Sequence, residues 1–262
     1  MTPKRHYTTQ LQAGLGLLQE TRLLLRIWEP GMTSPALYQA ALHSGECPNV
    51  SARRLRNIVQ ECFAPRYLLA EGQPARHLKQ LANALAPAEL NQLLFLYTCR
   101  ANPILADFVR EVFWERYAAG DNQVTVEEAK AFVGRGIDDG KTAKRWSDST
   151  VKRVTSYLLG CCTDYGLLGR RTLSARAIVP YRIESKAAAY LAHDLHFAGL
   201  GDNALLTHPD WQLFGLVRED VRDELKRLSL QGHLILQSAG EITHIGWKHK
   251  TMEDLLGVLA EG

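Results

Sequence analysis

Residues 146–182 read WSDSTVKRVTSYLLGCCTDYGLLGRRTLSARAIVPYR, and this stretch decides the fold. Ser147 is a good helix N-cap, and Asp148 puts a carboxylate in the first turn, at the positive end of the helix. Val151, Val154, Leu158, Cys161 and Tyr165 recur at helical spacing as one apolar stripe. At about 100° per residue, Ser149, Lys152, Arg153 and Ser156 fall on the opposite face. The helix therefore buries one side and presents a basic, hydroxyl-rich other side. Leu167-Leu168, a turn at Gly169-Arg170-Arg171 and a second short strand over Ala177 to Arg182 follow it. Helix, strand, basic loop and strand is the order of a winged helix, whose helix enters a DNA groove while the wing touches the backbone.

Working outward, charge singles out the same region. The chain has 262 residues and a net charge of only +3. Residues 141–182 nevertheless hold nine Lys and Arg against two Asp and Glu, a balance of +7. Residues 1–66 carry +4, residues 67–140 carry −3, and residues 183–262 carry −5. Localised basic charge is the footprint of a nucleic-acid binder, although a solvated basic face has the same composition.

N-terminal to this stretch, Thr125 with Glu128 forms a capping-box start for a short helix ending near Gly134 to Gly136. The loop Ile137 to Arg145 then brings Lys141, Lys144 and Arg145 to the start of the next helix. Ser147 and Ser149 sit at that N-terminus, where free backbone N–H groups bind phosphate. Near the beginning of the chain, Thr8 to Trp28 reads as one helix, and Ser34-Pro35 starts a second that reaches His43. Ser51 to Phe63 is another, with Leu55, Ile58, Val59 and Cys62 inward. Arg53, Asn57 and Gln60 lie opposite, with Arg56 beside them. These side chains suit paired hydrogen bonds to guanine and adenine in a major groove, so the pair is a helix-turn-helix candidate. An ordinary helical hairpin with a polar outer face has the same pattern.

Residues 67–119 read as structural helices whose Phe95, Tyr97, Phe108, Phe113 and Trp114 recur at helical spacing and belong to a core. In the last third, Ser185 to Phe197, Asp210 to Gly215 and Glu219 to Gln231 read as helices. A β-hairpin over 233–247 and a final helix opened by Thr251 and Asp254 complete it. This is again helix followed by hairpin, but the Arg218 to Arg227 helix balances its cations with acids, which suits packing or protein contact better than DNA. The expected organisation is an N-terminal helix-turn-helix at 1–66, a helical core at 67–119, a winged helix-turn-helix at 120–183 and a helical, winged-helix-like module at 184–262. The fold class is mainly α, a helical bundle with two helix-turn-helix elements and short β-hairpin wings.

Other chemistries find little support. Five scattered cysteines form no C-x-x-C pair and read as buried thiols of a reducing compartment. His193, His196 and His208 lack the i, i+4 spacing and carboxylate of a zinc helix, so no metal or other cofactor is expected. There is no P-loop, G-x-S-x-G, H-E-x-x-H or G-x-G-x-x-G, which argues against an enzyme. No apolar run approaches a membrane span and no signal peptide is apparent, so a cytoplasmic chain without membrane contact is expected.

Taken together, several segments resemble one family. Tyr7-Thr8-Thr9, Gly14, Glu20-Thr21-Arg22 and Ser51-Ala52-Arg53-Arg54-Leu55 come first. The Asn102 to Arg116 helix, Trp146-Ser147-Asp148-Ser149-Thr150 and Tyr165-Gly166-Leu167-Leu168 follow in order. From Tyr7 to Ile183 the chain resembles BrxA, the A component of the bacteriophage-exclusion (BREX) defence systems. That resemblance implies an all-α, non-catalytic protein with helix-turn-helix elements that binds double-stranded DNA beside other subunits of the system. It supports the helices at Arg53 to Gln60 and Ser149 to Ser156. DNA contact is expected from Arg53, Arg54, Arg56, Asn57, Gln60, Lys141, Lys144, Arg145, Ser147, Ser149, Lys152, Arg153, Ser156, Arg170, Arg171 and Arg176, in a chain that is a monomer on its own. A scaffold for other defence proteins and an RNA-binding helical protein are the alternatives.

Overall fold

The structure, a computed structural model, describes residues 6–13, 16–171, 174–239 and 242–261. It is mainly α. After a 3-10 turn at Gln10–Ala13 come α1 (Leu18–Ile27), α2 (Ser34–Ser44), α3 (Ala52–Asn57) and α4 (Ala64–Tyr67). Then follow α5 (Gln73–Leu81), α6 (Pro87–Ala101), α7 (Pro103–Phe108) and α8 (Trp114–Ala118). The strand β1 (Gln123–Thr125) leads into α9 (Val126–Asp138), α10 (Asp148–Asp164) and the hairpin β2 (Leu168–Arg171) and β3 (Ala175–Ile178). The chain closes with α11 (Ser185–Phe197), α12 (Asp202–Leu206), α13 (Arg218–Leu230), the hairpin β4 (Leu234–Ala239) and β5 (Ile242–Trp247), and α14 (Met252–Glu261).

Two compact units result. The first takes Met1–Arg76 and Leu94–Tyr181, and the second takes His77–Leu93 and Arg182–Gly262. Residues 77–93, from the middle segment of the sequence, thus belong with the C-terminal third.

In the first unit Trp28, Phe63, Tyr67, Phe95, Phe108, Phe113 and Phe132 are fully buried and are the bulkiest side chains of an apolar core otherwise made largely of Leu, Ile and Val. Two helices contain a π-helical stretch, Ile58–Phe63 between α3 and α4 and Val109–Phe113 between α7 and α8. Pro65 lies two residues beyond the first. It has no N–H to donate, and a wider turn before it lets the helix run on to Tyr67, past the Phe63 end expected from the apolar stripe.

The expected helix Thr8 to Trp28 is interrupted. The 3-10 turn at Gln10–Ala13 and α1 are separate, and Leu17 between them is left-handed, with φ 51°. A tertiary contact explains the break. The Gly16 N–H donates to Asp164 Oδ2 at 2.9 Å, and a Cβ on Gly16 would stand 2.7 Å from Asp164 Cβ. Leu15, within the expected helix, lies outside the described residues.

The small sheet also differs from expectation. Its order is β1-β3-β2, with Gln123 to Thr125 paired to Ala177 to Ala175. Gly169, Arg170 and Arg171 belong to a strand, and the second strand is Ala175–Ile178 and not Ala177 to Arg182. The pairing with β1 draws that strand toward its N-terminal end, and Pro180, which lacks a donor, cannot extend it.

In the second unit α11 is buried on nearly every face, from Ala187 to His193, and packs against α12, α13 and α14. Gln92 clasps the entry to α11, donating to the Arg182 carbonyl and accepting from the Glu184 N–H, both at 2.7 Å. α13 ends before Gly232, whose φ of 88° makes a left-handed stop. The β4–β5 hairpin and the Thr251–Asp254 cap of α14 are present as expected. The short α12, which the pattern does not reveal, is held to β5 by Asp202 Oδ2, which accepts from the Ile245 N–H at 3.1 Å.

Candidate nucleic-acid interface

Local sequence builds the two helices of the candidate site. Thr125 Oγ1 accepts from the Glu128 N–H at 3.2 Å while Glu128 Oε2 accepts from the Thr125 N–H at 2.8 Å, so both halves of the capping box are made. α9 continues past the expected stop, through Gly134 and Gly136 to Asp138. Gly136 is required by packing, because a Cβ there would lie 2.6 Å from the ring of Tyr7.

Ser147 caps α10, its hydroxyl accepting from the Thr150 N–H at 3.4 Å and lying 3.1 Å from Ser149 Oγ. The other end of α10 is anchored in the core. Tyr165 OH lies 2.7 Å from Thr98 Oγ1 and 3.2 Å from the Gly16 carbonyl, and its ring packs 5.3 Å from that of Phe95. Burial holds the Tyr165 phenol neutral, with its pKa raised. Of the expected stripe, Val154, Leu158, Cys161 and Tyr165 are buried and Val151 is half-buried, while Thr155, Leu159 and Cys162 join the buried side. Burial pushes the Cys161 thiol up to about 12, consistent with inert core cysteines.

The opposite face is open. Ser149, Lys152, Arg153 and Ser156 are exposed, as are Lys144, Arg145, Ser147 and Arg170. Lys144, Lys152, Arg153 and Arg170 have no carboxylate partner among the described residues. Arg153 only reaches Thr150 Oγ1, at 3.5 Å. Arg145 pairs with Asp138 at 3.2 Å, both largely in solvent, a contact worth little in water. The side chain of Arg171 lies outside the described residues. Arg176 is half-buried and donates to Thr163 Oγ1, which in turn donates to the Gly169 carbonyl at 3.1 Å, so it ties the hairpin to α10.

Lys141 sits elsewhere. Its ammonium lies 3.3 Å from Asp107 Oδ2, 3.4 Å from Glu111 Oε1 and 3.0 Å from the Tyr7 hydroxyl, and its carbonyl accepts from the Tyr7 N–H. Burial by itself would lower the Lys141 pKa, but the two carboxylates outweigh it and raise it. Lys141 pins the N-terminal segment to the helices beneath it and is not brought together with the α10 face.

The second candidate helix is also laid out as its pattern requires. Ser51 caps α3 by accepting from the Arg54 N–H at 3.3 Å, and Arg53, Arg54, Arg56, Asn57 and Gln60 are all exposed. Arg56 stacks over Tyr38 at 5.2 Å. The turn Gln10–Ala13 packs against both the Ile58–Phe63 stretch and α10. Gln60 falls within the π-helical stretch, which turns it relative to Arg53 and Asn57.

Sequence reasoning missed Glu127, Lys130 and Thr155, which line a cavity beside α10 together with Lys152, Ser156 and Arg176. No spacing rule joins them, because β1 brings α9 and β3 to one place and three residues are too few for a recognisable strand. The described residues contain no group of three or more His, Cys, Asp or Glu able to hold a metal. His193 donates its Nδ1–H to the Ala189 carbonyl, 2.8 Å away, and His196 stacks on Trp247 with centroids 4.2 Å apart. No helix among the described residues is long and apolar enough to cross a membrane.

Residues 5–194 match the family model BrxA. The chain belongs to the BrxA family. As a BrxA protein it is a component of the BREX phage-defence systems, as the resemblance implies, and the match spans both candidate helices. A comparison with curated proteins gives no match. Among solved structures, the chain is similar to an uncharacterized protein from Magnetospirillum magneticum, with a TM-score of 0.55 and 16% identity. The alignment covers 73% of this chain and 95% of that one, and it speaks to the fold only.

Proposed function

We propose that this BrxA protein is a non-enzymatic, double-stranded DNA-binding component of its defence system. In this reading α9, α10 and the β2–β3 hairpin act as a winged helix-turn-helix, and α3 with the following Ile58–Phe63 stretch supplies a second, weaker contact. One observation carries it. Lys152 and Arg153 on the exposed face of α10, Lys144 in the approach loop and Arg170 in the wing have no carboxylate partner among the described residues, whereas Lys141, Arg116 and Arg227 are ion-paired within the chain. Unpaired, exposed cations flanking a capped helix N-terminus suit phosphate contact, and Ser149 and Ser156 add hydroxyl donors. Arg170 reaches the same partner from the wing.

A gel-shift titration on duplex DNA tests this. Lys152→Glu with Arg153→Glu is expected to abolish binding while the chain stays folded, and unchanged binding refutes the placement. Single strands and RNA as competitors separate a duplex-specific protein from a general polyanion or RNA binder.

A scaffolding role for the second unit is favoured by a separate observation. Val217, Leu230, Ile235 and Val258 are exposed there, Leu230 at 90%, in a segment of net charge −5. Pull-down of partner subunits before and after removing 185–262 tests it. Capture that survives the truncation refutes it.

A further inference from the structure

The polar side of α10 is not wholly a convex surface. Part of it forms one wall of a cavity of about 500 Å³, closed by the first turn of α9 and by β3. That size is within the usual range of small-ligand pockets, about 300–1,000 Å³. Val126 and Leu159 supply apolar lining.

Thr155 lines it too. This residue is 2% exposed, and its hydroxyl has no hydrogen-bond partner. A threonine inside a helix ordinarily bonds its hydroxyl back to the carbonyl one turn earlier. Thr155 does not, and a buried hydroxyl without a partner is unfavourable until something bonds it. Of the charged residues at the cavity, Arg176 is held by Thr163, while Lys130 and Lys152 on one hand and Glu127 and Asp148 on the other have no ion pair among the described residues.

An occupant matched to this lining has an anionic group for the two ammonium groups, N–H donors for the carboxylates, a hydrogen bond for Thr155 and a body that tolerates apolar contact. A nucleotide has all four, with its phosphate and the amino-bearing edge of its base. We propose that the cavity binds a nucleotide, its phosphate at Lys130 and Lys152 and its base edge at Thr155 and the carboxylates. The choice of a nucleotide rests on the DNA-binding reading above, because Lys152 and Ser156 belong to both surfaces. The nucleotide is either free or an unpaired unit of a bound strand.

The test uses the full chain with two probes, dAMP followed by calorimetry, and duplexes with and without one unpaired adenosine followed by anisotropy. Saturable dAMP binding identifies a free nucleotide, and preference for the duplex with the unpaired adenosine identifies a strand unit. In either case Thr155→Val is expected to weaken that binding by about fivefold, the loss of one hydrogen bond. The same substitution is expected to leave the unliganded melting temperature unchanged or higher, since it removes an unpaired buried hydroxyl. Leu159→Trp, which fills the cavity, is expected to abolish the binding, and Thr155→Val keeps the test decisive if that variant does not fold. The proposal is overturned if neither probe shows the effect, or if Thr155→Val leaves the affinity unchanged. Duplex binding that persists in that case keeps the interface and removes only the cavity ligand. Loss of all duplex binding removes the interface itself, while the dAMP titration still reads the cavity.

Discussion

Replacing Lys152 and Arg153 together by alanine probes the α10 interface through its dependence on salt. Both side chains are exposed and neither has a carboxylate partner among the described residues, so the variant is expected to keep its stability within about 0.5 kcal/mol. Among the described residues, five exposed cations surround the start and outer face of α10 and the wing: Lys144, Arg145, Lys152, Arg153 and Arg170. If each meets one phosphate, the logarithm of the binding constant falls with the logarithm of salt at a slope of about −4.5, from about 0.9 per phosphate. Removing two cations brings that slope to about −2.7. Between about 50 and about 200 mM salt the parent chain then loses about 500-fold in affinity, and the variant about 40-fold. Fluorescence anisotropy of a labelled duplex across that range reads both slopes, and a circular-dichroism melt confirms the fold. Parallel lines for the two proteins would show that α10 does not meet the phosphates, whatever the absolute affinities.

The remaining predictions concern the supports of that site and the second unit. Lys141→Ala is expected to lower the melting temperature while leaving duplex affinity and salt slope unchanged, because the ammonium serves Asp107, Glu111 and Tyr7. The raised pKa of Lys141 makes its stabilising contribution full below its ordinary value and lost as pH rises through the higher folded value, so the deficit of the variant should vanish in strong alkali. Gly136→Ala drives a methyl into the Tyr7 ring and should cost about 1–3 kcal/mol in urea denaturation; no loss would mean that the N-terminal segment yields freely. His193 is held neutral by burial, against the pull of its Ala189 carbonyl bond and with the help of His249, His233 and His196, and its pKa is lowered to about 4. The unfolded chain therefore takes up a proton that the folded chain refuses. Stability should fall as pH drops from about 6.5 toward 4, by up to about 3 kcal/mol, and His193→Phe should flatten that part of the profile.

What could be read from the sequence was local. The N-caps Ser51, Thr125 and Ser147, the glycine stop after α13 and the buried stripe of α10 each depend on residues within a turn or two of one another. For the same reason the outward placement of Arg53, Asn57, Lys152 and Arg153 was legible, since helical geometry alone sets which face a side chain takes. The +7 balance at 141–182 is a property of composition and needs no fold.

The tertiary structure decided matters that depend on residues far apart in the chain. Gly16 meeting Asp164 breaks the first expected helix, and Tyr7 meeting Asp107 and Lys141 takes one expected DNA contact into an internal network. β1, too short to announce itself, pairs with β3 and brings Glu127 and Lys130 of α9 to the same cavity as Thr155 and Lys152 of α10. Periodicity and capping report what a residue does within its own helix, whereas these outcomes depend on which partner a long-range contact delivers. The basic helix was therefore readable from residues 146–182, while the cavity behind it exists only because β1, β3, α9 and α10 meet.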